Sequence, residues 1–178
     1  MNYLQIIGKY YVKGTPLYDI LLQHSRSVAD YAVELAQRHH EYGFDLAFVE
    51  EAAMLHDIGV FLCHAPAIHC VGTHQYIEHG FLGAELMRAE GFPQHARVCE
   101  RHTGAGLSAQ QIEETHLPLP HRDLMPETLT EKLICFADKF FSKTHLETPD
   151  SVERIRSKMA KFGYGSLERF DEMLKMFG

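Results

Sequence analysis

Apolar residues recur every three or four positions along most of the chain, which is the spacing of helices that bury one face. Residues that start or stop helices mark the boundaries, as at Thr15-Pro16 and at Gly43. The pattern predicts helices at about 16–41, 46–58, 78–90, 93–103, 109–115, 128–144, 150–162 and 166–177. Strand patterns are nearly absent, so the predicted fold class is all-α, a compact helical bundle.

The chain has 178 residues, without an internal repeat or a low-complexity linker, and this predicts one domain over residues 1–178. Its core is expected at about 15–145. The helical hairpin at about 150–177 is expected to cover that core, with a homodimer contact as the alternative. Residues 60–76 and the proline-rich stretch 117–126 are predicted loops, and the second is a candidate for the mouth of a pocket.

Composition is typical of a soluble globular protein, with 46% hydrophobic and 23% charged residues. No apolar run reaches the roughly 18–20 residues of a membrane span, and the N-terminal residues lack the features of a signal peptide. The four cysteines show no CxxC spacing, so reduced thiols in a cytoplasm are expected. The formal net charge of −7, with scattered Lys and Arg, argues against a large nucleic-acid partner but allows a small anionic substrate.

The unusual feature is a set of 13 histidines, seven of them between residues 56 and 102. Taken singly, an inward-facing histidine such as His24 is more often a hydrogen-bonded core residue than a ligand. Asp138, inside the apolar stretch LICFADKFF, is harder to explain, because a buried carboxylate without a partner costs several kcal/mol. Four histidines and two aspartates that lie on apolar faces or at helix ends predict a site for metal ions such as Fe, Mn or Zn. Its residues are His24, His56, Asp57, His79, His102 and Asp138.

In this order, these residues resemble the HD-domain superfamily of metal-dependent phosphohydrolases, in its HDIG branch, over about residues 20–145. The chain looks most similar to small stand-alone members, which share stretches like HGFLGAELMRAEGFP, ERHTGAG and PETLTEKLICFADK. The resemblance implies a helical bundle of HD-domain type and one or two divalent or trivalent ions, with Fe, Mn, Zn, Ni, Co and Mg as candidates. It places His24, His56, Asp57 and Asp138 on one ion, with Asp57 bridging to a second ion held by His79 and His102.

One position departs from the family pattern. Many HD enzymes carry a lysine a few residues after the HD pair, where this chain has Ile58, Gly59, Val60 and Phe61. If that lysine holds the substrate phosphate in relatives, another residue must do so here, or the substrate differs.

The favoured function is hydrolysis of a small phosphate ester or anhydride, a nucleotide among the candidates, because two ions can clamp a phosphoryl oxygen and activate water. Asp57 is the predicted catalytic ligand. His74 is a candidate proton donor to the leaving group, or a loop histidine without a role. The candidate substrate-binding residues are Arg101, Lys139 and Lys143, although the two lysines are equally well explained as a solvated helix face.

Three alternatives stay open at this point. Some HD proteins with the same six ligands hold a di-iron centre and cleave C–C or C–P bonds with dioxygen. Others are binding or signalling modules with little turnover. The pairs Cys63-His64 and His69-Cys70 have side chains that bind zinc, but residues that line a mobile lid are the favoured interpretation.

Overall fold

The computed structural model describes Met1–Gly178 and contains nine α-helices and one small antiparallel sheet. The helices are α1 Tyr3–Tyr10, α2 Pro16–Arg38, α3 Leu46–Leu55, α4 His79–Ala89, α5 Pro93–Arg101, α6 Ala109–Glu114, α7 Leu129–Asp138, α8 Val152–Phe162 and α9 Ser166–Phe177. The strands are β1 His64–Ala65 and β2 Cys70–Val71. Short 3₁₀ turns lie at His40–Tyr42, Val60–Leu62, Pro66–Ile68 and Tyr76–Glu78. The all-α prediction is confirmed, and no helix combines the length and apolar composition that crossing a membrane requires.

The helices begin where the sequence carries capping residues. The Thr15 side chain accepts a hydrogen bond from Tyr18 N, and Pro16 takes the first position of α2. At the start of α7, Thr128 and Glu131 form a reciprocal capping box. These local signals explain why most predicted helix starts lie close to the observed ones.

Two elements differ from the prediction. Residues Tyr3–Tyr10 form α1, a helix of 8 residues that buries only Ile6 and Ile7 and is too short to show a clear period. Helix α7 ends at Asp138 rather than near residue 144. The chain turns there instead, and Asp150 N donates to the carbonyl of Phe140 at 2.7 Å.

The early end of α7 changes the placement of two lysines. Lys139 follows the last helical residue directly, and Lys143 lies in the turn beyond the helix, so they do not share a helix face. Phe140 and Phe141 continue the apolar spacing of α7 although they lie beyond its end. Both rings pack edge-on against Tyr31 of α2, and their centroids lie 5.2 and 5.9 Å from the Tyr31 centroid.

The core lies between α2, α3, α5 and α7, and the C-terminal hairpin closes it. Phe136 of α7 is fully buried, and it stacks on Phe170 of α9 with 5.6 Å between ring centroids. Phe177 lies 5.9 Å from the same ring. Helix α9 therefore covers the core, as predicted, while a dimer contact stays a prediction.

Candidate metal centre

Six buried side chains from five helical segments meet in the interior of the bundle. They form two groups, each with its ligand atoms within 4.8 Å of one another. The first group contains His24, His56, Asp57 and Asp138, and the second contains Asp57, His79 and His102. The structure thus brings together all six residues that the sequence singled out, in the two groups that the resemblance implied.

Asp57 belongs to both groups because each of its carboxylate oxygens faces a different one. Its Oδ2 lies 3.0 Å from His24 Nε2 and 3.1 Å from His56 Nε2. Its Oδ1 lies 3.3 Å from His79 Nε2 and 3.4 Å from His102 Nε2. Both oxygens are buried; Lys143 Nζ lies 2.5 Å from Oδ2, and Oδ1 accepts no hydrogen bond of normal geometry. A carboxylate in this state is costly inside a protein unless cations compensate it, and metal ions fit this donor set.

The histidine rings are oriented by their own backbone. The Nδ1 atoms of His56, His79 and His102 each lie 2.6–2.7 Å from the carbonyl three residues earlier in the chain. Because a carbonyl only accepts, Nδ1 carries the proton and Nε2 keeps a free lone pair. The Nε2 atoms of His79 and His102 are only 3.0 Å apart. Two facing lone pairs repel, and a cation bound by both rings removes that repulsion.

Asp138 completes the first group and is held by the adjacent Lys139. Its Oδ1 lies 3.1 Å from His24 Nε2 and 3.4 Å from His56 Nε2. Its Oδ2 lies 2.8 Å from Lys139 Nζ, which also donates to the carbonyl of His102 at 2.9 Å. Lys139 is therefore engaged in orienting a ligand of one group and the backbone of the other.

The buried charges of the centre attract both metal ions and protons. Burial raises the pKa of Asp57 and Asp138, but the neighbouring histidines and lysines outweigh it, so both pKa values lie well below the usual value and both groups are ionised. Burial likewise disfavours charge on His56, yet the two carboxylates raise its pKa to about 9. Burial lowers the pKa of His102 to about 4. A metal ion at the first group therefore competes with a proton on His56.

Gly59 allows the segment that follows Asp57 to pack closely against α4. The segment after α3 packs there directly on the backbone of α4, which begins with the ligand His79. A Cβ on Gly59 would lie 2.4 Å from both Gly83 N and His79 O, a separation that real side chains do not reach. The glycine two residues after Asp57 is thus a packing requirement of the centre.

A cavity of about 520 Å³ adjoins the first group, a size typical of small-molecule sites. Asp138, Lys139 and Lys143 line it. Lys143 Nζ lies 2.5 Å from Asp57 Oδ2, so this lysine supplies a cation where the residues after the HD pair do not. Tyr76 also lines the cavity; its ring stacks on His79 with 4.7 Å between centroids, and Lys143 Nζ lies 5.9 Å from the ring centre.

Two of the predicted site residues lie elsewhere. His74 is on an exposed loop, where its Nδ1 lies 3.1 Å from Glu78 Oε1, and it does not line the cavity. Arg101 is buried on α5, but it donates to the carbonyl of Met125 at 2.7 Å and pairs with Glu127 at 2.8 Å. It does not line the cavity either. The structure does not bring these two side chains to the site because both are held by partners outside it.

The Cys63-His64 and His69-Cys70 pairs do not form a metal group in the structure, where the two candidate groups consist of His and Asp alone. Both cysteines are buried thiols. The pairs flank the short β1–β2 sheet, and the residues between them, Ala65, Ala67 and Ile68, line the cavity. The lid alternative fits this placement better than a zinc site does.

Sequence reasoning missed Tyr76 as a residue of the site. Its one signal was its position three residues before His79, the spacing at which its carbonyl accepts the Nδ1 proton of that ring. It also assigned no role in the site to α8, because the apolar face of that helix looked like an ordinary core face.

The family model for the HD domain matches residues 21–142, a range that contains all six converging residues. The chain belongs to the HD-domain family. An uncharacterised protein of Methanocaldococcus jannaschii is 34% identical over 145 residues, which are 79% of this chain and 78% of that protein. This HD protein also resembles two tRNA (cytidine(56)-2'-O)-methyltransferases, and no solved structure matches it significantly.

The methyltransferase matches cover only part of those relatives. The protein of Thermoplasma volcanium is 31% identical over 142 residues, and that of Picrophilus torridus is 30% identical over 145 residues. These matches span 79% and 81% of this chain but 37% and 36% of the methyltransferases. This chain thus spans about a third of their length. Family membership and the buried donor groups together support a metal-binding His/Asp centre in this HD domain.

Proposed function

We propose that this HD domain hydrolyses a small phosphate ester or anhydride at a binuclear metal centre. The observation that carries the proposal is Asp57, a buried carboxylate whose two oxygens face different histidine groups and which has a protein cation, Lys143, at Oδ2 alone. Such a group is suited to bridge two cations. When bound, the ions supply a water of lowered pKa and neutralise charge that builds on the phosphoryl oxygens.

Each of the two ligand groups would bind one ion. His24, His56, Asp57 and Asp138 would hold one ion, and Asp57, His79 and His102 the other. The Nδ1 hydrogen bonds to backbone carbonyls keep three of the rings in the tautomer that a metal needs. These contacts pre-position the donors, so little reorganisation accompanies binding.

Lys143 is the residue proposed to hold the substrate phosphate. It lines the cavity beside the first ligand group, and its side chain is only 13% exposed. Burial lowers the pKa of Lys143, but Asp57 outweighs burial and raises it above the usual value, so the ammonium stays charged. Lys139 has a different role, since its contacts with Asp138 and the His102 carbonyl make it a positioning residue.

The substrate is proposed to be small, and the cavity of about 520 Å³ and the net charge of −7 support this against a large nucleic acid. Methyl transfer to tRNA, named for two relatives, is not proposed here because the matched segment covers about a third of those proteins. A cytoplasmic location is proposed on the basis of four unpaired cysteines.

The test compares Asp57→Asn with the control Asp30→Asn, which changes an aspartate of α2 that is 68% exposed. Metal content is measured by elemental analysis, and turnover of nucleotides and simple phosphomonoesters is measured under argon with added Mn²⁺ or Fe²⁺. We expect turnover without oxygen by the parent protein. We expect Asp57→Asn to lose bound metal and activity with unchanged helical circular dichroism, and Asp30→Asn to keep both.

Retention of metal and activity by Asp57→Asn would contradict the proposal. Turnover by iron-loaded protein only in the presence of oxygen would replace hydrolysis by the oxygenase alternative. Absence of turnover on the whole panel, with metal still bound, would favour the binding or signalling alternative.

A further inference from the structure

Part of one wall of the cavity is built by residues outside the range that the HD family model matches. Ile155, Met159 and Phe162 of α8 line it, together with Ile68 and Phe141. The matched range ends at residue 142. The cavity thus has a charged part, beside the ligand Asp138 and the two lysines that follow it. It also has an apolar wall, to which the C-terminal hairpin contributes.

Phe162 reaches the cavity because Gly104 makes room for it. Gly104 lies two residues after the ligand His102 and has a φ of 60°, a conformation that favours glycine. A Cβ at Gly104 would lie 3.0 Å from Phe162 Cε1 and 3.3 Å from its Cζ. The Phe162 ring therefore lies close to the backbone of the ligand-bearing segment. It is only half-buried, so part of the ring is free to contact a bound molecule.

An ion pair lies beside the apolar wall. Lys158 and Asp150 both line the cavity, and Lys158 Nζ lies 2.5 Å from Asp150 Oδ2. Arg154 Nε lies 3.1 Å from Asp150 Oδ1. The lysine nearest the apolar wall is thus already paired with a carboxylate. Lys143 is paired as well, with Asp57 Oδ2 at 2.5 Å, but an ion bound by Asp57 would share that carboxylate and leave the ammonium to contact an anion.

We propose that the C-terminal hairpin makes this site selective for phosphate monoesters whose leaving group carries a flat, uncharged aromatic ring. The phosphate binds beside Lys143 and the ligand groups, and the ring packs against Phe162 and Met159, since aromatic rings favour contacts with other rings and with thioethers. The wall itself is lined by apolar side chains, which favour an uncharged group. This inference rests on the proposed hydrolase function and specifies its substrate class.

The experiment compares benzyl phosphate with ethyl phosphate, two monoesters with similar alkoxide leaving groups. The variants are Phe162→Leu, which keeps an apolar residue but removes the flat ring, and the control Phe48→Leu on α3, which does not line the cavity. We expect the parent protein to prefer benzyl phosphate by about tenfold or more in kcat/KM, the scale of one buried apolar group. We expect Phe162→Leu to remove this preference through KM for benzyl phosphate, and Phe48→Leu to keep the preference, the metal content and the ethyl phosphate turnover of the parent protein.

A second measurement separates this inference from the hydrolase proposal. Calorimetry with benzylphosphonate and ethylphosphonate reports binding without turnover. If both esters are hydrolysed with equal kcat/KM, or if Phe162→Leu lowers both equally, the inference is overturned while the hydrolase proposal stands. If no ester is hydrolysed but benzylphosphonate binds about tenfold more tightly than ethylphosphonate, and Phe162→Leu removes that difference, the hydrolase proposal fails while the aromatic specificity of the cavity stands.

Discussion

Replacement of Gly59 by alanine tests whether the contact of α4 with the end of α3 sets the spacing of the two ligand groups. The new Cβ would lie 2.4 Å from Gly83 N and from His79 O. Carbon atoms pack at about 3.5–4.0 Å, so α4 must move away by on the order of 1 Å. The φ of Gly59 is −84°, which alanine adopts freely, so the effect is steric.

The expected loss of stability follows from the rigidity of the two opposing atoms. Overpacking a core costs about 1–3 kcal/mol, and the upper end is expected because both clashing atoms belong to the backbone. For a chain of this size, a change of 1 kcal/mol shifts Tm by about 2–4 °C, so Gly59→Ala should lower Tm by about 6–12 °C. Since α4 begins at His79, its displacement should also weaken the second ligand group more than the first.

The assay combines thermal unfolding with elemental analysis of the metal-loaded protein. We expect the metal content of Gly59→Ala to fall from two ions per chain toward one. The matched control is Gly8→Ala in α1, where an added Cβ meets nothing within 4 Å. Alanine is the better helix former, so this control should be unchanged or up to about 1 kcal/mol more stable.

Two results would refute this reasoning. If Gly59→Ala unfolds within about 1 °C of the parent protein and keeps both ions, the backbone contact does not control the spacing of the ligand groups. If Gly8→Ala loses as much stability as Gly59→Ala, the loss does not come from the contact with α4.

Three further predictions concern the charges of the protein. Lys143→Met should lower kcat/KM for a phosphomonoester about tenfold or more with metal content retained, because the cation beside Asp57 is lost; equal steady-state kinetics would contradict this. A chelator should lower the Tm of metal-loaded protein by about 5–10 °C, since ligand at 100 times its Kd stabilises by about 2.7 kcal/mol, and Asp57→Asn should show no response. Burial raises the pKa of Glu100, but hydrogen bonds from Arg122 and Arg88 outweigh it and leave the pKa below its usual value, so its contribution to stability is present above pH 4.5 and is lost as pH falls further. Glu100→Gln should therefore cost about 3 kcal/mol in urea unfolding at pH 7 and progressively less below pH 4.5; a cost that does not change with pH would refute this.

The helices could be predicted where apolar period and capping residues agree, as at Thr15-Pro16 and at Thr128. Prediction failed where one signal was missing or misleading. Helix α1 is too short to establish a period. The end of α7 was missed because Phe140 and Phe141 continue the apolar spacing beyond the helix. There they pack against Tyr31, as apolar residues on a helix face pack against a neighbouring helix.

The ligand set could be predicted because buried polar residues stand out against apolar helix faces. His24 lies on an apolar helix face and Asp138 within an apolar stretch, and the HD pair and its resemblance supplied the rest. The charged residues around the centre could not be assigned in this way. Arg101 and His74 have suitable side chains, but only the folded structure shows that Met125, Glu127 and Glu78 hold them outside the cavity.

The amino-acid sequence by itself determined the helical class of this protein, its family and the six side chains that converge in its interior, because these depend on local period and on the cost of burying charge. Tertiary structure alone decided which oxygen of Asp57 faces which histidines, that Lys143 contacts Asp57, and that α8 lines the cavity. Those outcomes depend on contacts between residues far apart in the chain. The spacing of apolar residues within one helix does not indicate which face of another helix will pack against it.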